Sequence, residues 1–126
     1  MNIIICGAGK VGFSISKQLS AQGHSITVID QSSEDIKKVN DTLDAKGIVG
    51  RASLPSVLEN AGAEEADMVI AVTRNDETNM IVCQLASSLF NVNKKIARIR
   101  TQDFLEGKWN KLYTKSNIPI DFIISP

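Results

Sequence analysis

Short apolar runs alternate with amphipathic stretches along the whole chain, so the elements can be read before any composition is considered. Asn2 to Cys6 (Asn-Ile-Ile-Ile-Cys) predicts a buried strand. Val11, Ile15 and Leu19 then recur at helical spacing, predicting a helix from about Lys10 to Gln22 that stops at Gly23. Ser25 to Ile29 predicts a second strand. Ser32 or Ser33 can cap the next helix, whose apolar marks are Ile36, Val39 and Leu43, and Gly47 to Gly50 predicts a short third strand. Ser53-Leu54-Pro55 has the form of a cap followed by a first-turn proline, with the helix ending near Gly62. Asp67 to Val72, almost wholly apolar, predicts a central fourth strand. A long helix over Asn75 to Asn91, a fifth strand over Lys94 to Ile99, a helix over Asp103 to Thr114 and a sixth strand over Ile120 to Ile124 complete the order.

Strict alternation of strands and helices predicts an α/β fold in which parallel strands are joined by crossover helices. The economical arrangement is a Rossmann doubly wound parallel sheet in the order 3-2-1-4-5-6, with helices on both faces, because right-handed crossovers place the reversal between strands one and four. Residues 1–126 are expected to form one domain, with no internal repeat, low-complexity run or linker.

Composition narrows the function. Lys plus Arg number 14 and Asp plus Glu number 14, so no overall field draws the chain to nucleic acid or to an anionic membrane surface. The apolar runs fall far short of the ~20 residues that span a bilayer, and no signal-peptide pattern opens the chain; the expectation is a soluble cytoplasmic protein without membrane insertion. Cys6, Cys83 and the single His24 have no metal-ligand spacing. The cysteines read as small buried hydrophobes, with a reactive thiol at Cys6 as the sharper alternative. His24, next to Gly23, reads as a surface turn residue.

The candidate chemistry lies at the carboxyl ends of the strands. Gly7-Ala8-Gly9-Lys10-Val11-Gly12 follows the first strand and opens a helix, and Asp30 ends the second. A G-x-G-x-x-G pattern alone is weak, but between strand and helix and answered by an acid it is the dinucleotide-binding fingerprint. The phosphates then face backbone N–H groups at the positive end of a helix. Lys10 can add charge or simply point to water. Asp30 either accepts hydrogen bonds from a ribose, favouring NAD over NADP, or serves as a turn and cap residue. Gln31-Ser32-Ser33 brings no arginine to reverse that preference. Thr73 and Arg74 belong to the loop expected beside the glycine loop. Arg98 and Arg100 alternate to one side of the fifth strand, where they can reach a phosphate or end in solvent.

Together the glycine loop, Asp30, Ala66-Asp67-Met68-Val69-Ile70-Ala71-Val72-Thr73, Asp76-Glu77-Thr78-Asn79-Met80, Ile96-Ala97-Arg98-Ile99-Arg100 and Pro119 to Pro126 resemble the N-terminal RCK (KTN) nucleotide-binding domain of Trk-type potassium-uptake regulators. The resemblance implies binding of NAD/NADH, or of ATP or ADP at the same site, with contacts on Gly7 to Val11, Asp30, Thr73, Arg74 and Arg98. It further implies a homo-oligomer formed through RCK domains, peripheral on the inner face of the cell membrane, that controls a Trk-type potassium transporter. On this reading the chain is a domain excised from a longer regulator, with an apolar surface near Phe122-Ile123-Ile124 left for the rest of the protein or a symmetry mate. One position departs from the family pattern: many relatives carry an acid after the glycine that ends strand three, where this chain has Gly50-Arg51-Ala52-Ser53.

Two other classes compete. The cofactor half of an NAD-dependent dehydrogenase would need an acid or base beside the nicotinamide and a substrate domain, and neither is apparent. A methyltransferase shares the glycine-rich strand-turn-helix, but no methyl-transfer motif follows. The expectation is a regulator rather than an enzyme, with no metal.

Overall fold

The structure, a computed structural model, describes residues 1–125; Pro126, the last residue of the carboxyl-terminal segment named above, lies outside the described residues. The elements run β1 (Asn2–Cys6), α1 (Lys10–Ala21), β2 (Ser25–Asp30), α2 (Ser33–Thr42), β3 (Lys46–Val49), α3 (Pro55–Asn60), β4 (Met68–Ala71), α4 (Asp76–Phe90), β5 (Lys94–Arg98), α5 (Gln102–Leu105) and β6 (Phe122–Ile124). The six strands form one sheet in the order β3-β2-β1-β4-β5-β6, and every pairing is parallel.

Strand periodicity explains why both faces are covered. Ile3 and Ile5 of β1 point to one side, where they join Ile26, Val28, Ile36 and Val39 and the inner faces of α1 and α2. Ile4 and Cys6 point to the other side and join Leu58, Val82, Cys83 and Ala86 of α3 and α4. Two apolar clusters sandwich the central strands, as a doubly wound sheet requires. Asn91 ends α4 in the left-handed conformation at φ 52°, and Gly23 follows α1 at φ 90°.

Two expectations need correction. Ser53 does not cap α3: the cap position is Leu54, which makes no side-chain bond, and the Ser53 hydroxyl accepts from Arg51 Nε instead (3.2 Å). The helix expected over Asp103 to Thr114 is instead the single turn α5 followed by a 3-10 segment at Gly107–Leu112, because Glu106 is extended (ψ 133°) and breaks it. Trp109 is exposed, so no continuous buried stripe supports a longer helix there. A short 3-10 turn at Ala63–Glu65, before β4, is also absent from the sequence reading.

His24 ends in a hydrogen bond to the Met1 amino group. Cys6 and Cys83 are fully buried. Burial, with Cys83 nearby, pushes the Cys6 thiol far above its ordinary range, and burial pushes Cys83 up to about 12, so both stay protonated and unreactive.

Candidate functional site

The loop after β1 is shaped by three glycines: two exclude a side chain for different reasons, and the third leaves open space. Gly7 has φ +114°, and a Cβ there would lie 2.9 Å from the carbonyl oxygen of Val72. At Gly12 a Cβ would come within 1.8 Å of the Gly7 carbonyl oxygen, so α1 can pack against the loop only with glycine at that position. A Cβ at Gly9 would meet nothing within 4 Å, which leaves that flank of the loop open to whatever approaches it. Gly9 is the cap position of α1 and offers no side-chain bond; within the helix, Phe13 N–H donates back to the Gly9 carbonyl at 2.8 Å. The N–H groups of the first turn are therefore available to an anion.

Asp30, at the end of β2, is bound into this loop. Its Oδ2 accepts the Ala8 N–H (2.6 Å) and its Oδ1 accepts the Ser32 N–H (2.8 Å). Ser32 in turn caps α2 by accepting from Asp35 N–H (3.1 Å). The turn-and-cap role weighed for Asp30 is thus present. A carboxylate has about four lone-pair sites, so two remain for a ligand hydroxyl.

Across the sheet reversal, two buried polar side chains of α4 organise the opposite bank. Asn79 Oδ1 accepts from the Thr73 N–H (2.9 Å) and hydroxyl (2.7 Å), and its amide donates to the carbonyls of Thr73 (3.1 Å) and Arg98 (2.8 Å). Asp76 accepts the N–H groups of Arg100 (3.0 Å) and Thr101 (2.8 Å). Burial pushes the Asp76 carboxyl up, but the Thr101 and Arg100 hydrogen bonds and the Arg100 charge outweigh it and leave the group below its ordinary value. Asn75 caps α4, accepting from Thr78 N–H at 2.7 Å.

Between the banks lies a cavity of about 660 Å³ at the carboxyl ends of the strands. Gly7, Gly9, Lys10, Val11, Asp30, Thr73, Arg74 and Arg98 all line it; Ala8 and Gly12 lie beneath the loop and shape it without reaching the cavity. Arg51, Ser53 and Arg100 line it as well. Five basic side chains (Lys10, Arg51, Arg74, Arg98 and Arg100) face two acids (Asp30 and Asp35), so a chain of zero formal charge concentrates positive charge here. Arg98 Nε is buried with no hydrogen-bond partner among the described residues. Burial, then the Arg100 and Arg74 charges, disfavours its cationic form, with Asp76 opposing. An anion in the cavity would relieve both the missing bond and the repulsion.

Asn79 and Asp76 were missed as organising groups. The available signal was their place on the buried stripe Asp76, Asn79, Met80, Cys83, Ala86 of a helix, where a polar side chain must have partners. Arg51, singled out in the sequence only by its departure from the family resemblance, lines the cavity because it follows β3, which pairs with β2 beside Asp30.

A parallel sheet with its crevice at the strand-order reversal, a steric glycine loop and a cationic cavity define a Rossmann-type nucleotide-binding domain. Residues 3–126 match the TrkA-N domain, and the chain belongs to that family. It is 47% identical over 126 residues to the Trk system potassium uptake protein TrkA of Azorhizobium caulinodans, covering all of this chain and 28% of that protein. With the TrkA of Vibrio alginolyticus the identity is 42%, covering all of this chain and 27% of that protein. The chain thus spans about a quarter of the length of these relatives. Among solved structures, the TrkA-N domain of the inner membrane protein ybaL from Escherichia coli has the same fold (TM-score 0.82, 17% identity, 98% of this chain and 86% of that chain). So does the GsuK channel bound to NAD (TM-score 0.78, 18% identity, 98% of this chain and 21% of that chain), and GsuK is also known bound to ADP.

Proposed function

We propose that this domain is the nucleotide sensor of a potassium-uptake regulator: it binds NAD(H), or ADP or ATP at the same crevice, and transmits occupancy to a membrane potassium transporter without chemical change to the ligand. The observation that carries the reading is the glycine loop: an uncapped helix start, an open flank at Gly9, and a carboxylate at the end of the neighbouring strand. The diphosphate lies on the N–H groups of Gly9, Lys10 and Val11, and a ribose hydroxyl donates to Asp30. The far phosphate oxygens face Arg74 and Arg98 beside Thr73. Family membership and the names of the relatives supply the potassium-uptake setting. A ligand that touches both banks shifts the distance between them, and any effect on a partner is bounded by its differential affinity for the two arrangements.

Catalysis is the weaker reading: of the acids that line the cavity, Asp30 is already tied to the Ala8 and Ser32 N–H groups, and family membership points to a regulator. Among the described residues, no helix is long and apolar enough to cross a membrane. On the proposed reading the potassium transporter is the membrane partner, and the domain sits peripherally on the inner face of the membrane through it. Phe122 and Ile123, exposed on edge strand β6, are the proposed contact for a second copy within a homo-oligomer.

Calorimetric titration of NAD, NADH, NADPH, ADP and ATP tests the reading, with Asp30→Ala alongside. Saturable binding of NADH or ADP is expected. Asp30→Ala should weaken NADH by about 1.5–3 kcal/mol, or roughly 10- to 150-fold, the scale of a hydrogen bond to a charged group. Binding of S-adenosylmethionine alone would overturn the assignment.

A further inference from the structure

We infer that Arg51 is the base-recognition group of the site: its guanidinium plane packs on the adenine ring of the bound nucleotide. The inference rests on the nucleotide reading above and extends it to the base end of the ligand.

The sheet order supplies the first argument. β1, β2 and β3 are successive neighbours, about 4.8 Å apart. A nucleotide laid across their carboxyl ends puts phosphate on the β1 loop and ribose at Asp30 on β2, and the next step outward brings its base to the end of β3. Asp30 is in register with Val49, and the Gly50 N–H donates to the Asp30 carbonyl (2.9 Å), so Arg51 leaves the sheet directly beyond the ribose position.

Arg51 is also held for the task. Its neighbour Ala52 is buried, and Gly50 lies so close to α3 that a Cβ would be 3.0 Å from Val57, so the backbone on either side is anchored while the side chain is exposed at the cavity rim. The Nε–H donates to Ser53 Oγ (3.2 Å), which orients the guanidinium and leaves its faces and its Nη groups free. A planar cation with an open face suits the π-face of a purine. The obvious rival ligand group, a ribose 2′-phosphate, would face both Asp30 and Asp35 on the same rim.

Calorimetry of Arg51→Ala and Arg51→Lys with NADH, ADP and NADPH tests this, with thermal melts confirming that both variants fold. Arg51→Ala is expected to weaken NADH and ADP by the same factor, about 5- to 100-fold for the loss of one stacked base. Arg51→Lys, which keeps the charge but not the plane, should recover only a minor part, and the loss should persist at 0.5 M salt, on the order of the concentrations that screen an exposed charge. Unchanged NADH and ADP affinity in Arg51→Ala, full recovery in Arg51→Lys, or a loss confined to NADPH would each overturn the inference. If the unmutated domain binds neither NADH nor ADP, the nucleotide reading itself fails.

Discussion

The two banks of the crevice are made of different materials. On the β1–β2 side the wall is backbone: glycines set its shape by steric exclusion, and the Asp30 carboxylate ties Ala8 and Ser32 by their N–H groups. On the β4–β5 side the wall is held by side chains, Asn79 and Asp76, behind a cluster of arginines in which Arg98 Nε has no partner. One bank is complete before a ligand arrives, and the other holds three arginines, Arg74, Arg98 and Arg100, that the Asp76 carboxylate offsets only in part. That difference assigns them roles. The glycine bank fixes position, and the arginine bank has the larger interaction still to gain when an anion binds, so it is where binding changes the protein.

The comparison breaks most severely at Gly12. A methyl group there collides with the Gly7 carbonyl at 1.8 Å, a clash with rigid backbone on both sides. Gly12→Ala should cost on the order of 3 kcal/mol or more of unfolding free energy, the upper end for overpacking, and abolish nucleotide binding. Urea denaturation reads this directly; a variant of native stability that still binds would show that the bank yields. Asn79→Ala comes next. It leaves the Thr73 N–H and the Arg98 carbonyl without their buried partners, a loss of about 2–3 kcal/mol. Its nucleotide affinity should fall through Thr73 and Arg98 while the glycine loop keeps its amide-exchange protection. Equal loss of protection in both banks would mean that they are not separable.

Legibility in the sequence follows the same division. The glycine loop, Asp30 and the strand order could be read because each depends on spacing within a few residues and on the alternation of strand and helix patterns. The helix expected over residues 103–114 does not form as one piece: Phe104, Leu105 and Tyr113 pack against the core while Trp109 is exposed, and nothing in Glu106-Gly107 announces the extended turn between them. Asn79 looked like a polar residue near a helix start. Only the approach of β5 to α4 shows that its amide joins two loops. Arg51 reaches the rim because β3 pairs with β2, a long-range fact that no local window contains.

Arg98 sharpens the comparison with a smaller effect of opposite sign. Its guanidinium is disfavoured by burial and by the nearby Arg100 and Arg74 charges. Arg98→Gln should therefore leave the free domain at least as stable, while lowering NADH affinity roughly 5- to 10-fold. A thermal-shift series with and without NADH separates the two effects. A destabilised free domain with unchanged affinity would make Arg98 a structural residue.

The smallest expected effect is a pH dependence confined to the arginine bank. Asp76 titrates below its ordinary value because, against the upward push of burial, it accepts the N–H groups of Arg100 and Thr101 and faces the Arg100 charge. A carboxyl whose folded pKa is depressed contributes stability that is fully present above its unfolded value, near 3.8, and lost as pH falls through the lower folded value. Acid should thus release the β5 end before any effect at pH 7 is visible. In urea titrations, the stability gap between the unmutated domain and Asp76→Asn should be constant above pH 5 and narrow progressively below about pH 4, where protonation removes the charge that the variant already lacks. A gap that stays constant down to pH 3 would mean that Asp76 acts through shape alone, and the arginine bank would then be as indifferent to charge as the steric glycine loop across from it.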